Sequence, residues 1–172
     1  MLTNETILNI LNTEFKDVII KSEELGDLFT ITIKPQNNYH VIAFLKIHKD
    51  LNFFFLTDLC GLHLPDQSGE ELGVVYHLHN LIANKRIRVK TFFSEQNPKI
   101  ESITNLFESA NWQERETFDF YGIKFTGHPD LRRILNVDEM EYFPMRKEIP
   151  LEDSTRTDKD DRFFGRISQQ TI

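Results

Sequence analysis

Gly73-Val74-Val75-Tyr76-His77-Leu78-His79 and, beyond a break at Ala83-Asn84-Lys85, Arg86-Ile87-Arg88-Val89-Lys90-Thr91-Phe92-Phe93 are two runs of alternating character. Val74, Tyr76 and Leu78 fall on one side of the first run; Ile87, Val89, Thr91 and Phe93 fall on one side of the second. A period of two marks a strand with one face in a core. A connection this short makes the two strands antiparallel. The hairpin therefore predicts a sheet with one apolar face and one basic face. The apolar face needs a covering layer, and the flanking sequence supplies helices.

Upstream, Ile7, Ile10, Leu11 and Phe15 give residues 4–15 a helical stripe, with Thr3 or Asn4 able to cap it. Strands are predicted at 17–21 and 28–34 around a turn at Gly26-Asp27. Residues 38–50 fit a second helix, although Val41-Ile42-Ala43-Phe44 also suits a strand, and Phe53–Leu62 reads as a buried central strand. Pro65–Gly73 is a polar loop. Downstream, Asn97-Pro98 resembles a helix start, with Ile100, Ile103, Leu106, Phe107 and Ala110 as its apolar stripe. The predicted class is α+β: a small mixed or antiparallel sheet with helices on one face, occupying residues 1–111.

From Trp112 the pattern changes. Glu114–Tyr121 predicts one or two helical turns closed by Gly122. Thereafter Gly127, Pro129, Pro144 and Pro150 interrupt every periodicity. The expectation is a docking segment at 112–150 and an extended charged tail at 151–172, ordered against a partner because so few apolar residues cannot offset its ordering entropy.

Composition removes several functions. A net charge of −7 argues against nucleic acid. The single cysteine, Cys60, cannot supply the four thiolates of an iron–sulfur cluster and reads as a small core residue. Neither a Gly-x-Gly-x-x-Gly nor a P-loop pattern is present. The first residues show no basic and apolar leader, and no run approaches the roughly 18 apolar residues of a membrane span, so membrane association is expected through other chains.

Local chemistry has few candidates. His77 and His79 share a strand face, a start for a metal site. A two-residue turn at Ala83-Asn84 would set Lys90 and Arg88 opposite them, and cations there disfavour a divalent ion. No third ligand is evident. Glu116 and Asp119 would share a helical face, with Arg115 meeting Asp119 one turn on. With Arg132 and Arg133 nearby, ion pairing is the simpler reading of these acids than acid–base catalysis. His128 precedes Pro129, which pushes it from helical geometry. It is expected to hold a turn by hydrogen bonding.

The run Glu114-Arg115-Glu116-Thr117-Phe118-Asp119-Phe120-Tyr121-Gly122-Ile123-Lys124-Phe125-Thr126-Gly127-His128-Pro129-Asp130-Leu131-Arg132-Arg133-Ile134-Leu135 closely resembles the signature of the C subunit of bacterial NADH–quinone oxidoreductase, respiratory complex I. Phe143-Pro144-Met145-Arg146-Lys147-Glu148-Ile149-Pro150 resembles a second segment of that family, and the likeness extends back through the hairpin. Between them, 136–143 lacks the glycine and histidine many relatives carry before the proline, which leaves local contacts there open.

The resemblance implies a cofactor-free structural and assembly subunit of the peripheral arm of a proton-translocating enzyme that passes electrons from NADH to quinone. FMN and the Fe–S clusters would belong to partner subunits. The implied partners are the terminal-cluster subunit and the quinone-pocket subunit, on the cytoplasmic side of the cell membrane. Glu114, Arg115, Glu116, Asp119, Gly122 and Phe125 would lie in the partner interface. So would Gly127, His128, Pro129, Arg132 and Arg133, together with Pro144, Arg146, Lys147 and Pro150. A related membrane-bound hydrogenase contains a similar subunit, so that complex is the alternative setting; a small metal enzyme built on His77 and His79 is the alternative from another class.

Overall fold

The computed structural model describes residues 2–150, and the tail expected at 151–172 lies outside the described residues. Helix α1 (Asn4–Glu14) is capped by Thr3, whose hydroxyl accepts the Thr6 N–H at 3.1 Å. Strands β1 (Ile19–Leu25) and β2 (Leu28–Ile33) form a hairpin. Its central residues, Gly26 and Asp27, both have positive φ (57° and 61°), as a two-residue hairpin turn requires. Helix α2 (Asn38–Ile47) follows a single 3-10 turn. It settles the open choice at 38–50 in favour of helix, with Val41, Ile42 and Leu45 buried.

Strands β3 (Phe55–His63), β4 (Leu72–Asn80) and β5 (Lys85–Phe93) form an antiparallel meander. β5 returns beside β2 in parallel, giving the order β1-β2-β5-β4-β3. The sheet is mixed, and the α+β class predicted from the hairpin is the fold observed. Phe53–Leu62, however, supplies an edge strand and not a central one. Its apolar residues are explained by a helix lying over that edge.

Two further expectations change. No helix starts at Asn97-Pro98: Lys99–Glu101 is a short strand, β6, parallel to β7 (Lys124–Thr126). The stripe still faces inward, since Ile100, Ile103, Phe107 and Ala110 are all buried. The pairing of Ile100 with Phe125 overrode the local pattern, and the helix, α3, starts only at Ala110 and ends at Tyr121. The β4–β5 connection is also longer than expected. Asn80 pairs with Lys85, so His77 faces Arg88 and His79 faces Arg86. The fixing contact is Asn80, buried, whose Oδ1 accepts the Ala83 N–H at 2.8 Å while its Nδ2 donates to the Leu51 carbonyl at 2.7 Å.

One apolar cluster joins the three helices to a single face of the sheet. Ile7 and Leu11 of α1, Val41, Ile42 and Leu45 of α2, and Ala110 of α3 meet Phe29, Ile31 and Ile33 of β2, Ile87 and Val89 of β5, and Val74, Tyr76 and Leu78 of β4. Phe15 and Phe44 close the α1–α2 contact edge to face at 5.2 Å. The other sheet face carries Thr30, Thr32, Arg86, Arg88, Lys90, Val75, His77 and His79, as the register requires. Cys60 faces that side of edge strand β3, opposite Val75, and is half-buried where the sequence suggested a core position.

Helix α3 lies on β3 at close range. A Cβ on Gly61 would come 2.5 Å from the Tyr121 ring and 3.0 Å from the Thr117 methyl. Gly61→Ala is therefore expected to lift α3 from the sheet and to cost about 1–3 kcal/mol, the usual range for overpacking. Urea denaturation measures it, and a variant as stable as the parent would refute the close-approach reading.

Candidate functional site

Residues 112–150 carry the dense run of charge, glycine and proline. Helix α3 crosses the boundary expected at 111/112 and ends where predicted: Gly122 is left-handed (φ 77°) and its N–H bonds to the Phe118 carbonyl at 2.8 Å. The last carbonyls of a helix have no partner within it. Here the returning chain supplies them. Arg133 Nη1 donates to the Asp119 carbonyl at 2.9 Å, the Met145 N–H to that of Phe120 at 3.2 Å, and Arg146 Nε to that of Tyr121 at 2.9 Å. Two of the three donors are cationic, which also opposes the negative end of the helix dipole.

Asp119 holds the same segment from its side chain. It is fully buried, and its Oδ2 accepts the N–H groups of Ile134, Leu135 and Asn136 at 3.1, 2.8 and 3.0 Å. Oδ1 accepts from Asn136 Nδ2 at 3.0 Å and from Arg133 Nη1 at 2.8 Å. Burial alone would raise this carboxyl's pKa. The Asn136 and Leu135 amides, with the Arg133 and Asn136 side chains, outweigh burial and hold it well below the ordinary carboxylate range.

Phe143 completes the clasp. Arg133 and Arg146 each lie 5.1 Å from its ring centroid, and Phe118 meets it edge to face at 6.3 Å. The ring presses on Gly122, where a Cβ would sit 2.5 Å away. Gly122 thus serves both the helix cap and this contact. Farther along, the buried His63 of β3 accepts the Lys147 N–H on Nδ1 at 2.9 Å, tying the segment to the sheet.

Several expected residues are accounted for inside the chain. Arg115 does not meet Asp119; it is buried and donates to the carbonyls of Arg132 and Arg133, both at 3.2 Å. Glu116 is exposed while Asp119 is interior, so the two do not act as paired carboxylates. His128 holds its turn: Nδ1 accepts the Asp130 N–H at 3.0 Å, which leaves Nε2 to donate to the Asn111 carbonyl, also at 3.0 Å. Phe125 and Gly122 are buried, whereas Gly127, Pro129, Arg132, Lys147 and Pro150 face outward. Pro144 and Arg146 are half-buried. Phe143, Asn136 and His63 were not foreseen, because no sequence signal brings a ring or an amide across such distances.

Glu114 has the opposite electrostatics to Asp119. It is fully buried, and Oε1 accepts the Ile103 N–H at 2.7 Å, fixing the loop between β6 and α3. Burial raises its pKa from 4.5 to about 7, against the weaker pull of the Ser102 side chain and the Ile103 amide. Among the described residues, no group of three or more His, Cys, Asp or Glu is placed to hold a metal ion.

The family model described as "Respiratory-chain NADH dehydrogenase, 30 Kd subunit" matches residues 31–155, which include the hairpin and the whole clasp. The chain belongs to this family. A relative from Roseiflexus sp. (strain RS-1), the C subunit of an NADH-quinone oxidoreductase, is 40% identical over 168 residues, covering 95% of both chains. The solved trypsin-resistant fragment (1–134) of Nqo5 superposes with a TM-score of 0.63 at 30% identity, covering 74% of this chain and 98% of the fragment. A chain of the membrane-bound sulfane sulfur reductase, an archaeal respiratory membrane complex, shares the fold with a TM-score of 0.70 at 18% identity, covering 86% of this chain and 85% of the other.

As a member of this complex I family, the chain is a component of an oxidoreductase of the respiratory chain. Its signature run is, in this structure, a device that closes helix α3. The two buried carboxylates then predict opposite pH signatures. Asp119 favours the folded state above the ordinary carboxylate pKa, and its contribution fades as pH falls toward its depressed value. Asp119→Asn should therefore lose about 3–5 kcal/mol at neutral pH, the usual result of leaving a buried partner unpaired. Glu114, with a raised pKa, favours folding fully below its unfolded pKa and progressively less as pH rises through about 7. Relative to the parent, Glu114→Gln should gain about 2 kcal/mol between roughly pH 5.5 and roughly pH 8. Denaturant titrations at both pH values measure each effect; a pH-independent difference for Glu114→Gln would contradict the assignment.

Proposed function

We propose that the chain is a structural and assembly subunit of the NADH–quinone oxidoreductase, with no cofactor and no catalytic residue of its own. Its partners are the peripheral-arm subunits with the terminal Fe–S cluster and the quinone pocket, and FMN belongs to other chains of the complex. On this reading it sits peripherally on the cytoplasmic side of the membrane; no helix among the described residues is long and apolar enough to cross one.

One observation carries the reading. The clasp buries its central ion pair and leaves large apolar side chains in the open beside it. Asp119 and Arg133 pair with side-chain exposures of 0% and 9%, whereas Leu135 and Val137 are 65% and 62% exposed on the same turn. Tyr142 and Met145 also stand exposed, as does Trp112 on α3. Large apolar side chains fixed in the open by a buried ion pair are what a protein interface requires. Of the basic residues between His128 and Pro150, Arg132 and Lys147 are the ones that face outward, so the docking role falls to them and to these apolar groups. Arg133 and Asp119 support the interface from beneath.

The test separates docking from folding. Leu135→Asp and Val137→Asp together should abolish recovery of the NADH-oxidising assembly with the tagged chain, while its melting temperature stays within a few degrees of the parent. Arg132→Ala should reduce recovery by about five- to tenfold, since losing a rim contact is worth roughly 1 kcal/mol. Full recovery with all three substitutions would sink the proposal. Recovery of a hydrogen-evolving assembly by the parent would select the membrane-bound hydrogenase as the complex in question.

A further inference from the structure

The helix-free face of the sheet has an uneven distribution of charge. Central strand β5 sets Arg86, Arg88 and Lys90 in one row on that face, and Lys85 begins the strand. Arg86 is exposed, and Arg88 and Lys90 are half-buried. Among the described residues none of the four is within ion-pair distance of a carboxylate, although the chain carries a net charge of −7. The neighbouring rows are short or neutral: Thr30 and Thr32 on β2, Val75 on β4. They form a floor from which the basic row rises. At one end the row opens into a groove of about 440 Å³ between the β1–β2 turn and the β4–β5 loop, lined by Gly26, Asp27, Asn84, Lys85, Arg86 and Arg88.

Arg88 is oriented by its neighbours. Its Nε donates to His77 Nε2 at 2.9 Å, and the Nδ1 of the same ring faces Asp58 Oδ2 at 3.5 Å. Burial and Arg88 lower the His77 pKa against the pull of Asp58, so the imidazole stays neutral and accepts. This also answers the metal reading of His77: the lone pair a cation would need is taken by a guanidinium. With Nε engaged, the terminal nitrogens of Arg88 remain to face a ligand.

We propose that this row is a docking surface for an acidic segment of a partner protein lying extended along β5. Alternate residues of a strand repeat at about 6.8 Å, so an extended segment presents alternate carboxylates in step with Arg86, Arg88 and Lys90. The row is one strand wide. Glu23 lies two strands away on one side and Asp58 two strands away on the other. At roughly 4.8 Å per strand these acids lie about 20 Å apart. Glu23 is paired with Lys21, so the basic row is a single strand wide between a neutralised edge and Asp58. That width suits an extended polypeptide better than a broad polyanion or an anionic membrane plane. The surface is separate from the clasp, and its test stands independently of the docking assigned there.

The probe is a labelled peptide of alternating Glu and Thr, titrated into the full chain at about 50 mM salt, where charge contacts are weakly screened. Saturable binding that weakens at least about tenfold in Arg86→Glu/Lys90→Glu is expected, with the parent's melting temperature kept. The control Lys99→Glu/Lys124→Glu makes the same change in net charge on the β6–β7 pair, and should leave peptide affinity within about twofold. Equal weakening in the two double variants would overturn the proposal by reducing it to net charge. So would failure of the parent to bind, or tighter binding to phosphatidylserine vesicles or to an oligonucleotide than to the peptide.

Discussion

The C-terminal end of α3 is the constraint on which the outer half of the molecule depends. A helix that stops against a sheet edge leaves carbonyls pointing at whatever comes next. Here the chain itself comes next, and the Arg133, Met145 and Arg146 donors fall on successive carbonyls from Asp119 to Tyr121. Asp119 reverses the arrangement, offering oxygen to three backbone amides of the 134–136 turn. Donors and acceptors interlock across one helix end. A segment with almost no regular secondary structure is thereby held on α3, and α3 is held on β3 by the gap at Gly61.

This arrangement commits the charged residues that suggest catalysis to structural contacts. A catalytic carboxylate needs open lone pairs and a pKa near the working pH. Asp119 has its oxygens filled by five donors and a depressed pKa, so it is an anchor. Glu114 has the raised pKa but no access to solvent, and its bonded oxygen is committed to the Ile103 amide. His128, the remaining candidate, has both ring nitrogens engaged with its own turn and with Asn111.

Much of the fold was legible because its signals are local. The hairpin alternation gave the sheet faces, Thr3 and Gly122 marked helix ends, and Gly26-Asp27 marked the tight turn. The misreadings share one physical origin, tertiary partners. Asn97-Pro98 has a helix-start signature, but β7, over twenty residues later, claims Ile100 for a strand. The β3 run is apolar enough for a central strand, yet it lies at the edge because α3 covers it. The β4–β5 register turned on Asn80, which is fixed by Leu51 from another loop. At the clasp, the sequence suggested ion pairing of the acids with the arginines, which holds for Asp119 but not for Arg115, whose donors go to carbonyls. It did not show which pairs formed, and Arg133 displaced Arg115 as the partner of Asp119.

The direction in which the clasp faces follows from this division of labour. Desolvating an ion pair is costly unless every lone pair and proton finds a partner, and a flexible protein surface rarely offers that. The Asp119–Arg133 centre meets those demands within one chain, so on the proposed docking reading the association step falls to apolar groups such as Leu135 and Val137. Their contribution needs shape and exposure more than matched donors. On the same reading, the ordering entropy of the 130–149 segment is met during folding instead of during assembly, because its donors and acceptors are already paired on α3.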